Sequence, residues 1–265
     1  MAAYKKRYNP NRSPDWNYGG SKWKLSRSKI DLFIECPRCF YLDNRLGTKR
    51  PSIPSFNLNI AVDELFKKEF DQYRKKGESH PLQTKYKIDA IPFAHENMDQ
   101  WRDPFTGIMY QHEETGLLVS GGVDDIWVNP QEELIVVDYK ATSKEGSLTT
   151  LADSPWEPQY RRQMGVYQWL LEKNGFAVAA EGYFVYANAL QTPDEFADIL
   201  TFETTVIPCS GDNDWIDETL PAIKSCLESD MFPKAGEDCE YCAYRTACGQ
   251  KLQRIHAEQK TAKNK

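Results

Sequence analysis

The sequence is notable first for what it lacks. No run of about 18 apolar residues occurs anywhere in the 265, which excludes a membrane-spanning helix as the organising element. The basic N-terminal stretch MAAYKKRYNPNRSPDWNYGGSKWK is followed by no apolar segment, so no secretory signal is expected and cytoplasmic residence is the default. No Gly-x4-Gly-Lys-Ser/Thr occurs, which removes the phosphate-binding loop of helicases and other NTPases. Internal repeats and low-complexity tracts are also missing, so solenoid and fibrous architectures are out. Histidine is scarce, at 4 residues. His95 and His112 lie in no pattern that assigns them.

Apolar and aromatic residues are nonetheless plentiful enough for a core. The length suits one large domain or one domain with an appendage. The net charge of −6 is unevenly spread. Residues 1–50 hold twelve Lys/Arg against four Asp/Glu, and residues 249–265 hold five against one. Two basic ends therefore flank a strongly acidic centre, a distribution suited to phosphate contacts at the ends and metal-binding carboxylates between them. Seven cysteines make an odd count. In a reducing compartment, clustered cysteines are metal ligands before they are disulfides.

The apolar period changes along the chain. Ser26 or Ser28 is placed to cap a helix over about 29–46, which Pro37 ends or divides. Leu58, Ala61, Val62, Leu65, Phe66 and Phe70 predict a second helix over 57–74. YKIDAIPF, LLVSGGVDDIWV and ELIVVDYKA then predict strands, with a hairpin at NPQEE. A helix follows over 157–173, two more strands at EGYFVYANA and DILTFETTVI, and a late helix at DNDWIDETLPAIKSCLES. The class is α/β, a mixed sheet core flanked by helices. The expected domains are a flexible basic and aromatic arm over 1–25, a core over 26–250 and a basic tail over 251–265.

Asp138 and Lys140 stand two apart and so share one face of a strand. Charges there must be paired, bind a metal or sit at a mouth. Carboxylates from neighbouring strands, Asp124 and Asp138, with the Tyr139 carbonyl between, suit the oxygen preference of Mg²⁺ or Mn²⁺. Such an ion polarises a phosphate and activates water. Lys140 serves either as base or as electrostatic helper. Asp125 falls on the face opposite Asp124.

The strand GGVDDIWV, the strand VVDYKAT and the helical QMGVY at 163–167 together resemble the RecB-type nuclease domain of the PD-(D/E)XK superfamily. That family has a restriction-endonuclease-like fold, and the resemblance spans residues 26–250. It implies that Asp124 and Asp138 are metal carboxylates, Lys140 the catalytic lysine, and Gln163 and Tyr167 a supporting pair one helical turn apart. Relatives often carry an acid or histidine on an early helix. Here AVDELFKKEFD offers Asp63, with Glu64 beside it, as the third ligand. The implied activity is a metal-dependent deoxyribonuclease, an exonuclease on single-stranded DNA or DNA ends. The settings implied are repair, recombination, and phage or CRISPR DNA processing, with a separate helicase or recombination protein as a partner. The alternative is a non-catalytic DNA-binding or assembly subunit that kept the fold.

Cys239-x2-Cys242-x5-Cys248 and the earlier Cys36-Pro-Arg-Cys39 resemble the iron–sulfur exonucleases of the same superfamily, among them CRISPR-associated and AddB-like enzymes. The resemblance implies a 4Fe-4S cluster on Cys36, Cys239, Cys242 and Cys248, with Cys39 the alternative to Cys36. On spacing alone a zinc tetrathiolate is close behind. Either would tie the basic ends together, where Tyr4, Tyr8, Trp16, Tyr18 and Trp23 interleave with Lys and Arg in a pattern suited to single strands.

Overall fold

The structure is a computed structural model that describes residues 12–51, 56–146, 149–151, 157–192, 194–195 and 197–263. Tyr4 and Tyr8, with the rest of the first eleven residues, lie outside the described residues. The chain divides into two compact units, one of Met1–Ile53 with Leu220–Lys265, the other of Pro54–Thr219. No helix among the described residues is long and apolar enough to cross a membrane.

The second unit holds the main sheet. Helix α3 (Asn57–Lys76) turns Val62, Phe66 and Phe70, each four residues apart, onto one stripe that packs against the sheet. It ends at Gly77 in the left-handed conformation, with Arg74, Lys75 and Lys76 at the negative end of its dipole. Five strands run in the order β2 (Ile91–Pro92), β5 (Asp125–Val128), β6 (Leu134–Thr142), β7 (Glu181–Ala189) and β8 (Phe202–Ser210). β5 and β6 form an antiparallel hairpin. Asn129 shapes its turn, accepting from the backbone N–H groups of Gln131 and Glu133 at 3.0 and 2.9 Å. β6 and β7 are parallel, and α6 (Glu157–Lys173) lies in the connection between them. β7 and β8 close the sheet antiparallel over nine residue pairs.

The two faces of β6 follow the period of two. Ile135, Val137 and Tyr139 join the α3 side with Trp127, Val185 and Val206. Val136 and Asp138 turn to α6, where Gly182 leaves room for Met164 against the Val136 carbonyl.

Three stretches depart from expectation. LLVSGGVDDIWV is two strands, β4 (Leu118–Gly121) and β5, and β4 pairs with β3 (Ile108–Gln111) in a separate antiparallel hairpin. Gly122–Asp124 break the run, so Asp124 lies just ahead of β5 rather than inside a strand. YKIDAIPF contributes only Ile91 and Pro92 to the sheet. The chain before it forms the short helix α4 (Pro81–Lys85), which His80 and Gln83 close as a capping box. Residues 251–263, expected as a tail, continue the long helix α8 (Glu240–Lys263), rich in Ala, Gln, Glu and Lys. The short helix α5 (Met98–Arg102) completes this unit's elements before α6.

The first unit begins with a 3-10 turn (Pro14–Trp16) and a two-residue strand, β1 (Leu25–Ser26). α1 (Arg27–Glu35) and α2 (Pro37–Asn44) follow, divided at Cys36, an extended residue that caps both. Pro37 takes the first helical position of α2, where its missing N–H costs nothing. Leu25, Ile30 and Phe40 are fully buried, as are Ile223 and Leu227 of α7 (Asp214–Glu228). The aromatic and basic residues of 12–25 are engaged within the unit. Tyr18 packs edge-on to Trp23 at 5.1 Å, the Trp23 indole donates to Asn44 at 3.1 Å, and Arg12 pairs with Asp43 at 2.8 Å.

Candidate active site and thiol cluster

The polar site grows out of the end of the β5–β6 hairpin. The register of β5 against β6 stops at Asp125 opposite Val137. Tyr139, two residues on, therefore has no strand partner on that side. Its backbone N–H instead donates to Asp124 Oδ2 at 2.9 Å. Residues of this parity present N–H and C=O to the same neighbour, so the Tyr139 carbonyl faces the same opening.

Asp138 is almost wholly buried, and it is matched on the α6 side of the sheet. Lys140 forms an ion pair with Asp138 Oδ2. Gln163 Nε2 donates to Asp138 Oδ1 at 2.6 Å and lies 3.2 Å from the Tyr167 hydroxyl, while its Oε1 accepts from Lys140 Nζ at 3.4 Å. One amide thus ties carboxylate, ammonium and phenol together. Burial pulls the Lys140 pKa down, but Asp138 and then Asp124 outweigh it and hold the ammonium above its ordinary range. The Lys140 ammonium also lies 5.3 Å from the Tyr160 ring centre and 5.6 Å from that of Phe184.

Asp63, on α3, lies near Asp124. Its Oδ2 accepts from Lys67 at 2.7 Å, and Lys67 also reaches Asp124 at 3.9 Å. Burial, then the charge of Asp124, push the Asp63 pKa up, and its Oδ1 is buried with no hydrogen-bond partner among the described residues. Lys67 keeps its proton, because Asp124 and Asp63 outweigh its own burial. An orphaned carboxylate oxygen beside a second carboxylate and an unpartnered strand edge is a donor set that suits a hard divalent cation. Asp63, Asp124 and Asp138 do not close into one tight group, however, and Lys67 and Lys140 supply positive charge between and beside them.

Asp125 points away from this site. It is fully buried and paired with Arg74 and Arg102, the latter at 2.9 Å, and it accepts from the Tyr139 hydroxyl at 2.6 Å. Both arginines also bind Asp71. His95 stacks on Trp101, and His112 is engaged by Thr115 at 2.9 Å and by Asp217 at 3.4 Å.

The sequence alone missed Lys67, Tyr160 and Phe184. Lys67 had a signal, since it stands one helical turn after Asp63. Tyr160 had a weaker one, standing three residues before Gln163 on the same helix face. Phe184 becomes visible only through the register that sets it beside Asp138.

In the other unit four thiols converge. Cys36, Cys39, Cys239 and Cys242 are all buried, and their sulfurs lie within 4.8 Å of one another. Cys248, expected among the ligands, is not in this group, and Cys39 is. The reason is local geometry. Cys36 and Cys39 flank the first turn of α2, and Cys239 and Cys242 flank the first turn of α8, so each pair turns two sulfurs the same way. Cys248 lies more than a turn further along α8, and it lines a cavity of about 490 Å³ together with Cys39, Cys242, Arg50, Tyr241 and Arg245.

A mixed α/β fold thus carries buried acids, a paired lysine and a glutamine clamp at the end of a strand hairpin. The chain belongs to the PD-(D/E)XK nuclease superfamily, whose model matches residues 56–249. The chain is thus of a nuclease class that uses divalent metal and takes nucleic acid as substrate. Among curated proteins none matches it. A solved structure titled "Crystal structure of SSO0001" is similar over 84% of each chain, at 15% identity and a TM-score of 0.39.

Proposed function

We propose that the protein is a divalent-metal-dependent DNA nuclease, working from single-stranded regions or ends, with its active site at Asp124, Asp138, Lys140, Gln163 and Tyr167. The observation that carries this reading is the single hydrogen-bonded chain through Asp138, Lys140, Gln163 and Tyr167. A purely structural pair needs no glutamine to orient both partners.

Asp63, Asp124, Asp138 and the Tyr139 carbonyl would hold the ion. Once bound, it supplies Lewis acidity to the scissile phosphate and an activated water. Lys140 enters as a charged donor to the phosphate oxygens, since the acids around it hold its proton. Gln163 holds Asp138 and Lys140 in one orientation, and the Tyr167 hydroxyl accepts from the same amide nitrogen that reaches Asp138. The basic ends of the chain support a polyanionic substrate. The cavity lined by Lys49, Arg50, Arg245, Tyr241 and Tyr244 offers cations and aromatic faces, the combination that grips single strands.

The test is cleavage of end-labelled single- and double-stranded DNA, with RNA alongside, in Mg²⁺ or Mn²⁺. The wild type should cut DNA, and Lys140→Met should lower the rate by roughly 10²–10³-fold, as loss of one charge-stabilising donor does. No cleavage in either metal, with DNA affinity intact, would establish the non-catalytic binding subunit instead.

A further inference from the structure

We infer that Phe56, with Ile60 beside it, forms an apolar ledge next to the carboxylates, on which an unpaired base close to the scissile phosphate stacks. The inference rests on the nuclease reading above and extends it to how the strand is held.

The ledge follows from spacing along α3. Residues three and four apart share a helix face. Phe56, Ile60, Asp63 and Lys67 stand four, three and four apart, so they form one row. The row runs alongside the stripe of Val62, Phe66 and Phe70 that anchors the helix on the sheet. Its C-terminal half belongs to the polar site, where Lys67 bonds Asp63 at 2.7 Å and reaches Asp124 at 3.9 Å. Its N-terminal half is apolar and open, with Phe56 65% and Ile60 55% exposed. Leu58 and Leu65 are exposed too, but at about 100° per residue they fall on the opposite flank of the helix.

Hydrogen bonds fix the ledge in place. The Ile60 N–H donates to the Phe56 carbonyl at 3.2 Å and closes the first turn of α3. The Asn59 amide donates to the Ala141 carbonyl at 2.9 Å and ties that turn to β6, one residue past Lys140. At a rise of about 1.5 Å per residue, Ile60 lies roughly 4–5 Å and Phe56 roughly 10 Å along the helix from Asp63. With about 3.4 Å between stacked bases of one strand, that is a reach of one to three nucleotides.

A nucleobase is the occupant this surface suits. A lone exposed Phe is ordinary. An aromatic ring in line with a phosphate-binding site is the stacking element of single-strand recognition. No acidic side chain lies in the first turn of α3, so no charge there repels a phosphate chain. Bases in a duplex cover one another's faces, so only unpaired ones reach the ledge. It therefore favours single or frayed strands at the point of cleavage.

The experiment is fluorescence anisotropy of the full chain with a labelled single-stranded oligonucleotide and with its duplex, in Ca²⁺, for wild type, Phe56→Ala and Phe56→Trp. Because Phe56 is exposed, both variants should melt with the wild type. Phe56→Ala should weaken single-strand binding about 5- to 150-fold, the loss of one stacked base, and Phe56→Trp should keep it. Duplex binding should change little in either. In a series of oligonucleotides with one abasic site each, one position should match the loss in Phe56→Ala and add nothing to it. Wild-type affinity in Phe56→Ala, equal weakening of single strand and duplex, an abasic loss that adds in full at every position, or no single-strand binding by the wild type would each overturn the ledge. Binding is read without cleavage, so failure of the ledge and failure of the nuclease assay with Lys140→Met are separate results.

Discussion

Asp125 carries more structural weight than its neighbour Asp124, though the two are adjacent in sequence. It is fully buried and answers to two guanidinium groups and a phenol. Removing it leaves those groups desolvated and without their shared anion. Asp125→Ala should cost about 3–5 kcal/mol, as breaking a buried charge pair does, measured by urea denaturation. A loss under 1 kcal/mol would mean that Arg74 and Arg102 are satisfied by Asp71 alone. At this scale the sequence was informative in proportion to periodicity. Alternation along β6 separates Asp138 and Lys140 from Tyr139 without any structure, and the same alternation turns Asp125 away from Asp124. It says nothing of Arg74 and Arg102, which come from two different helices, or of Lys67, whose role depends on where α3 crosses the sheet.

At the scale of elements, the glycines ahead of Asp124 explain why one apolar run becomes two strands. A Cβ on Gly121 would lie 2.8 Å from the Tyr167 ring. The close packing of β4 on α6 needs that gap, and the chain then leaves β4 to begin β5 in another sheet. Gly121→Ala should therefore destabilise by about 1–3 kcal/mol, the cost of overpacking, and should lower nuclease activity further than its thermal shift explains, because Tyr167 is displaced from Gln163. Activity unchanged per folded molecule would dissociate Tyr167 from function. The C-terminal end of α6 and the span of β7 were legible, the first from the Asn174–Gly175 stop and the second from its run of Tyr, Phe and Val. β3, α5 and most of α8 were not. β3 is short, α5 has five residues, and α8 has no apolar stripe, so only its helix-forming composition marks it.

At the scale of the whole molecule, the superfamily could be recognised because its motifs sit close together in one unit. The converging thiols were harder, since five cysteines compete for four places in the group and spacing cannot say which sulfur turns outward. Where a metal fills the group of four thiols, stripping it with a strong chelator should remove stability on the order of 10 kcal/mol from the unit that holds it. Hydrogen exchange should then accelerate across 12–51 and 220–263 while β5 to β8 keep their protection. Equal acceleration in both units would show that the metal supports the whole chain.

That first unit is made from the two ends of the chain, and this sets an order on its birth. Cys36 and Cys39 leave the ribosome some 200 residues before Cys239 and Cys242. At about 5–20 residues per second, the early pair waits roughly ten to forty seconds for the late pair. The contiguous unit of Pro54–Thr219 is complete before that wait ends. The contiguous unit thus emerges whole first, and the four converging thiols can meet only after Cys242 has been made.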